Sequence, residues 1–236
     1  MLEDETNRNI LARHIGIDSL SCFIVVFLGW QSRHSMWEMV DAVTGKQGAM
    51  AKAYEQRMYT YRPEATRLTL FFFMYNLKNT YDTIIWGDGI EFIIHHLLCM
   101  FTAWGCLTPG TAHFYAPFYF GVSELSTAVL CLLANFDDDH GVKGLAEAWP
   151  LGKVIFGAAF AVCFIVCRVF CWSAVSYFYC RDAWNALSGS DARTPARKTY
   201  LRFTFVSLSL LSMLQILWLG QIFVIGKEEL TKMGFI

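Results

Sequence analysis

Long apolar runs, separated by short polar segments that carry glycine, proline or charge, set the pattern of this chain. A hydrocarbon core about 30 Å thick asks for roughly 20 apolar residues at about 1.5 Å rise each. Five runs are of that scale: Leu68 to Trp86, Ile90 to Leu107, Phe114 to Phe136, Leu151 to Tyr179 and Tyr200 to Ile225. Each closes on residues that end a span. A sixth, Ile17 to Trp30, is about 21 Å long as a helix and needs Arg13 and His14 to reach the interface by snorkelling. The competing account of that run, a cleaved signal peptide, is opposed by the acidic start Met1-Leu2-Glu3-Asp4-Glu5 and by the lack of a small-residue cleavage site. The pattern predicts an all-α, multi-pass bundle of about six transmembrane helices over residues 17–226. Short tails at 1–16 and 227–236 flank it.

Two longer connections stand between the runs. Gln31 to Thr66 is polar, carries Arg33, Lys46, Lys52, Arg57 and Arg62, and reads as an interfacial loop or helix. Arg181 to Thr199 reads Ser-Gly-Ser-Asp and then Thr-Pro, which is loop chemistry, with Arg193, Arg197 and Lys198. With six spans both loops share one face, which carries about nine Lys/Arg against about five on the other. The positive-inside rule puts that face in the cytoplasm and both termini across the membrane.

Composition narrows the function classes. The chain is 55% apolar and 17% charged, so a disordered or nucleic-acid-binding protein is excluded, and a net charge of −1 leaves no basic field for polyanions. Its eight cysteines lie almost wholly within apolar runs and form no CxxC pair, which marks them as reduced small hydrophobes. Cys163, Cys167 and Cys171 share a helix face, better explained by packing than by a metal. Asp137-Asp138-Asp139-His140 reads as a solvated cap on the preceding helix.

An ionisable group at membrane depth costs about 3 kcal/mol or more, so each one there is a functional suspect. Tyr75, Asn79 and Asp82 recur at helical spacing and line one face, and Glu91 and His95 form an i, i+4 pair. Pro117, Gly121, Glu124, Ala128, Cys131 and Asn135 make a stripe of small residues with one carboxylate, beside Thr127. Arg168 lies deep in the fifth run, where it can neutralise Glu124 or Asp82, and Gln215 lies in the sixth. If these faces converge, the interior is a polar slot walled by apolar side chains, suited to an amphipathic lipid.

The adjacent His95 and His96 point about 100° apart on a helix, so one can face the bundle axis while the other reaches a neighbour. Near neutral pH such a ring can take a proton from an amine or hydroxyl and return it, or can attack a thioester itself. The same pair can equally be interhelical hydrogen-bonders that fix packing. Two adjacent histidines without a third placed ligand are a poor metal site, and no metal is assigned.

Several motifs in shared order resemble the TLC-domain family, which includes the ceramide synthases. Tyr81-Asp82-Thr83 ends one run, His95-His96-Leu97 lies in the next, and Ser123-Glu124-Leu125-Ser126-Thr127 in the one after. Trp30-Gln31-Ser32-Arg33-His34-Ser35 is similar to the family's Trp-x-x-Arg-x-x-Ser segment with the spacing shortened by one, and Phe164 to Arg168 to a segment of its fifth helix. The resemblance spans roughly Phe23 to Gly226 and is closest to the small TLC-domain-containing proteins. It implies six core helices around an elongated, lipid-sized central cavity, in the endoplasmic reticulum or another internal membrane rather than the plasma membrane. It also implies His95 and His96 as catalytic candidates for moving an acyl group from acyl-CoA, as co-substrate with no bound cofactor, to a sphingoid amine. Tyr75, Asn79, Asp82, Glu91, Glu124, Thr127, Arg168 and Gln215 are then the lipid-binding or supporting polar network. The synthases follow their histidines with a His-Asp-x-x-Asp segment, which is absent here, where Gly121 to Ser126 stands instead.

Three functions fit. One is a lipid handler that binds or processes an acyl chain, sphingoid base or lysolipid and adjusts membrane lipid or sphingolipid composition. Another is an acyl-CoA-dependent N-acyltransferase. The third is a non-catalytic trafficking or cargo receptor, for which Gln31 to Thr66 is the sizeable partner-binding segment. Self-association into a homo-oligomer is compatible with all three.

Overall fold

The computed structural model describes residues 3–44, 54–108, 110–189 and 197–232, and among these every regular element is helical. Lys46, Lys52 and Arg193 lie outside the described residues. Five helices are long and apolar enough to cross a membrane: α1 (Glu5–Gln31), α5 (Ile90–Leu107), α6 (Ala116–Phe136), α8 (Pro150–Ser188) and α9, whose apolar span is Lys198–Thr231. Between α1 and α5 lie α2 (His34–Val43), α3 (Tyr54–Tyr59) and α4 (Pro63–Trp86). A short α7 (Leu145–Ala148) precedes α8. At 24 residues α4 is about 36 Å long and matches the spans in reach, although Lys78 and Asp82 lower its apolarity.

Pairings between side chains fix the layout. A tight turn, Gly87-Asp88-Gly89, folds α5 back along α4; Gly87 and Gly89 have φ of 72° and 126°, a region in which a Cβ is strained. Against α5, α9 runs antiparallel, with Thr102 Oγ1 3.0 Å from Ser207 Oγ and the His95 ring 5.2 Å from that of Trp218. α1 crosses α6 where Gly29 meets Gly121: a Cβ on Gly29 would stand 2.8 Å from the Pro117 oxygen and 2.9 Å from the Gly121 Cα. Seven residues further along α6, the Ala128 carbonyl accepts from Ser19 Oγ of α1 at 3.1 Å. α6 is the hub, with 56% of its apolar window buried against 17–28% for the other spans. Side chains such as Phe27, Ile85, Phe101, Phe170 and Ile216 remain exposed on the outside, as a lipid-facing surface requires. In hydrocarbon, helices associate through close packing and hydrogen bonds, so aromatic pairs such as Phe72–Phe120 (4.9 Å) and Tyr119–Trp172 (5.1 Å) carry the interior.

The first span is longer than the run from Ile17 to Trp30. Helix begins at Glu5, where the Asp4 carboxylate accepts from the Thr6 N–H at 2.8 Å. It then passes through a π-helical stretch, Ala12–Ser19, whose charges find partners on the α4–α5 hairpin. Arg13 pairs with Asp88 and stacks over Trp86 at 4.9 Å, Asp18 pairs with Lys78, and Lys78 reaches Asp82 at 2.5 Å. Paired charges end no helix, so an apolar run underestimates this span. The segment Arg181 to Thr199 differs from its loop reading for the same reason, since α8 runs on to Ser188. Asp182 is fully buried there, receiving Arg57 of α3 at 2.5 and 2.6 Å and the Tyr115 hydroxyl at 2.6 Å. The polar segment after α1 is thereby anchored to the bundle. His113 completes the anchor: its Nδ1 accepts from the Arg62 N–H at 3.0 Å, so Nε2–H donates to the Cys106 carbonyl at 3.0 Å. Burial lowers the pKa of this ring, which therefore stays neutral in the fold.

Candidate functional site

The two histidines share one turn of α5 and diverge as their spacing requires. Their ring centres lie 5.4 Å apart, and each faces a different helix. His96 turns to α4, where its Nδ1 is 3.2 Å from Asn76 Oδ1. His95 turns to α9 and the interior, edge-on to Trp218, with Nε2 3.7 Å from Cys99 Sγ. Its Nδ1 is buried with no hydrogen-bond partner.

Across the interior from His95 lies a buried ion pair. Arg168 sits in a second π-helical stretch, Ile165–Cys171, and Glu124 in the 3-10 turn that interrupts α6. Arg168 Nη2 donates to Glu124 Oε1 at 2.7 Å and to Thr127 Oγ1 at 3.0 Å, while Nε donates to Ser126 Oγ at 3.2 Å. The guanidinium also stands 5.7 Å over Trp172, whose indole N–H donates to Ser212 Oγ of α9 at 2.9 Å. Three hydroxyl and carboxylate acceptors around one guanidinium offset its loss of hydration, which an ion pair alone does not. Each π-helical stretch thus carries one buried charge, Asp18 in the first and Arg168 in the second.

His95, Cys99, Glu124, Arg168, Trp172 and Phe72 line an internal cavity of about 20 Å³. A neighbouring cavity of the same size shares Thr102, Tyr119, Phe120 and Leu208 with it and extends to Tyr115 and Tyr200. The interior is therefore elongated but narrow, with room for about one water in each part. Among the described residues neither cavity is wide enough for an acyl chain, so the lipid-sized cavity that the resemblance implied is not open in this conformation. Gln215 belongs to the same face of α9 as Leu208 and Leu211, which line the cavity, and sits one turn before Trp218. It is 3% exposed, and neither its Oε1 nor its Nε2 has a partner.

The structure brings His95, Glu124 and Arg168 to one cavity, with Thr127 held on Arg168; Gln215 lies one turn before Trp218, whose ring meets His95. It does not bring the face of Tyr75, Asn79 and Asp82 there. That face looks toward α1, where the Tyr75 hydroxyl is 3.0 Å from Cys22 Sγ and Asp82 joins the Lys78 network. Asn79 is buried along it. Glu91 is exposed at the start of α5, its carboxylate folded over Gly89, in the first turn where the helix dipole favours an anion. Arg168 pairs with Glu124, and Asp82 with Lys78. Asn76 is the site residue that spacing did not single out, since helical period says which side chains share a face but not which neighbour that face meets. Among the described residues no group of three or more His, Cys, Asp or Glu is placed to hold a metal.

The TLC-domain model matches residues 16–224, nearly the whole of this helical bundle. The chain belongs to the TLC-domain family. No curated protein and no solved structure matches it. Within this TLC domain the matched region begins at Gly16, inside the π-helical stretch of α1, and takes in the histidine turn, the Glu124–Arg168 pair and Gln215. It is an integral, multi-pass membrane protein.

Proposed function

We propose that this TLC protein binds or processes an acyl lipid within the bundle and thereby contributes to membrane lipid or sphingolipid homeostasis in an internal membrane such as the endoplasmic reticulum. The observation that carries this reading is the set of unpartnered polar atoms at the level of the cavity: His95 Nδ1 and both ends of the Gln215 amide. Each such atom costs about 1–3 kcal/mol when buried unpaired. A polar head carrying both a donor and an acceptor removes that cost, while its tail replaces apolar contacts as the helices part.

The paired histidines favour a catalytic form of the same reading, with acyl-CoA as co-substrate and a sphingoid base as acceptor. A histidine takes the proton of the amine, the amine nitrogen attacks the thioester carbonyl, an amide forms as the C–S bond breaks, and the thiolate leaves to be protonated as coenzyme A.

Native mass spectrometry of the full chain extracted in mild detergent tests the binding reading. An acyl lipid retained at one per chain, and depleted in Gln215→Leu, is expected. Empty protein, with no thermal shift across a panel of sphingoid bases, lysolipids and N-acyl lipids, would overturn it. Incubation with acyl-CoA and sphingoid base tests the catalytic form, in which His95→Ala and His96→Ala lose product and keep the helical fold.

A further inference from the structure

Asn76 lies one turn past Phe72 on α4, is 3% exposed, and belongs to none of the charge networks. Its amide is oriented by the backbone: Nδ2 donates to the Phe72 carbonyl at 2.9 Å, which turns Oδ1 toward His96 Nδ1 at 3.2 Å. The opposite orientation would set two acceptors, Oδ1 and the Phe72 oxygen, against each other. An amide oxygen accepts and cannot donate, so His96 Nδ1 must carry the hydrogen. In the neutral ring Nε2 then carries the lone pair, and among the described residues the hydrogen bond that His96 makes is the one at Nδ1.

We propose that Asn76 is a positioning residue that locks His96 as its Nδ1–H tautomer and so presents Nε2 as the proton acceptor of the histidine pair. The use of that acceptor rests on the lipid-processing reading; the lock does not. When a ligand ammonium gives up its proton, its N–H bond breaks, an Nε2–H bond forms, the ring becomes imidazolium, and the amine keeps the lone pair. The Nδ1–H bond to Asn76 persists through this step and strengthens as the ring becomes charged, so the partner does not oppose proton uptake. His95 lacks such a partner: its Nδ1 is unpaired and its Nε2 faces a thiol. The geometry therefore divides the pair, with His96 held in one neutral tautomer and His95 left to face the cavity.

Solid-state ¹⁵N NMR of the histidine-labelled full chain in lipid nanodiscs tests the lock without any substrate, with His96 assigned by its loss in His96→Gln. A protonated Nδ1 and a bare Nε2 are expected in the wild type. Asn76→Asp retains them, since a neutral carboxyl reproduces both bonds and a carboxylate accepts from Nδ1–H more strongly. Asn76→Leu moves the hydrogen to Nε2 with helical content unchanged. A wild-type His96 in the Nε2–H form overturns the proposal, and so does an unchanged tautomer in Asn76→Leu. Should Asn76→Leu fail to fold, the wild-type and Asn76→Asp spectra decide the matter. In the acyl-transfer assay, Asn76→Leu is expected to lower kcat by about 10²-fold with KM little changed, and Asn76→Asp to recover most of it. An intact lock with no turnover in the wild type counts against the catalytic reading alone.

Discussion

Arg168 Nη2 and Glu124 Oε1 meet at 2.7 Å inside the bundle, and each residue is 5% exposed. Removing one partner leaves a buried charge uncompensated, so Glu124→Ala is expected to cost about 3–5 kcal/mol. The double variant Glu124→Leu with Arg168→Met removes both charges and regains most of that loss. Unfolding in detergent measures both. A single variant no less stable than the double would show that the pair is hydrated and not buried.

Gln215 sets stability against binding. Because both ends of its amide are buried and unpaired, Gln215→Leu is expected to stabilise the lipid-free chain by about 1–3 kcal/mol while it lowers lipid retention. A thermal melt of delipidated protein beside a lipid count separates the two effects. A drop in both together would mean that the amide has a structural partner.

The crossing of α1 over α6 depends on two absent side chains. At Gly121 a Cβ would lie 2.5 Å from the Pro117 oxygen and 2.7 Å from the Gly29 Cα, atoms of backbone that cannot swing aside. Gly121→Ala is expected to destabilise by about 1–3 kcal/mol or more, and Gly220→Ala, in open space on α9, to be neutral. Equal melting temperatures for the two variants would remove this contact from the account of the fold.

His113 links stability to pH. Burial lowers its folded pKa beneath the unfolded value of 6.5, so at mildly acidic pH the unfolded chain binds more protons than the folded one. The ring's contribution is complete above the unfolded pKa and is lost as pH falls through the folded one. Protonated Nδ1 would then face the Arg62 N–H, donor against donor. The wild type is expected to lose stability below about pH 6.5 more steeply than His113→Gln. Parallel pH profiles for the two would contradict it.

The ends of the spans and the pairing of Arg168 show how much the residue pattern could carry. Ile90 to Leu107 coincides with α5, and the runs from Leu151 and Tyr200 begin within two residues of α8 and α9, because a long apolar run has no alternative to a helix in hydrocarbon. The start of α1 was hidden because Arg13 and Asp18 look like a helix boundary until Asp88 and Lys78 are placed opposite them. In the site, the divergence of His95 and His96 follows from helical spacing, whereas spacing leaves Arg168 two carboxylates, Glu124 and Asp82, and the fold selects Glu124. Asn76 was passed over for Tyr75 and Asn79, since each of the three is polar on the same helix and rotation alone decides which meets α5.

What the residue order determines by itself is the helical, membrane-spanning nature of this TLC protein and the direction of each side chain about its own axis. Both follow from local geometry: about 1.5 Å and 100° per residue, and a solvent that satisfies no backbone group. The tertiary structure decided which faces meet: His96 with Asn76, Arg168 with Glu124, Lys78 with Asp18, and a central cavity with room for about one water in each part. Those pairings depend on the rotation and tilt of whole helices, which are set by close contacts such as Gly29 on Gly121 between residues far apart in the chain.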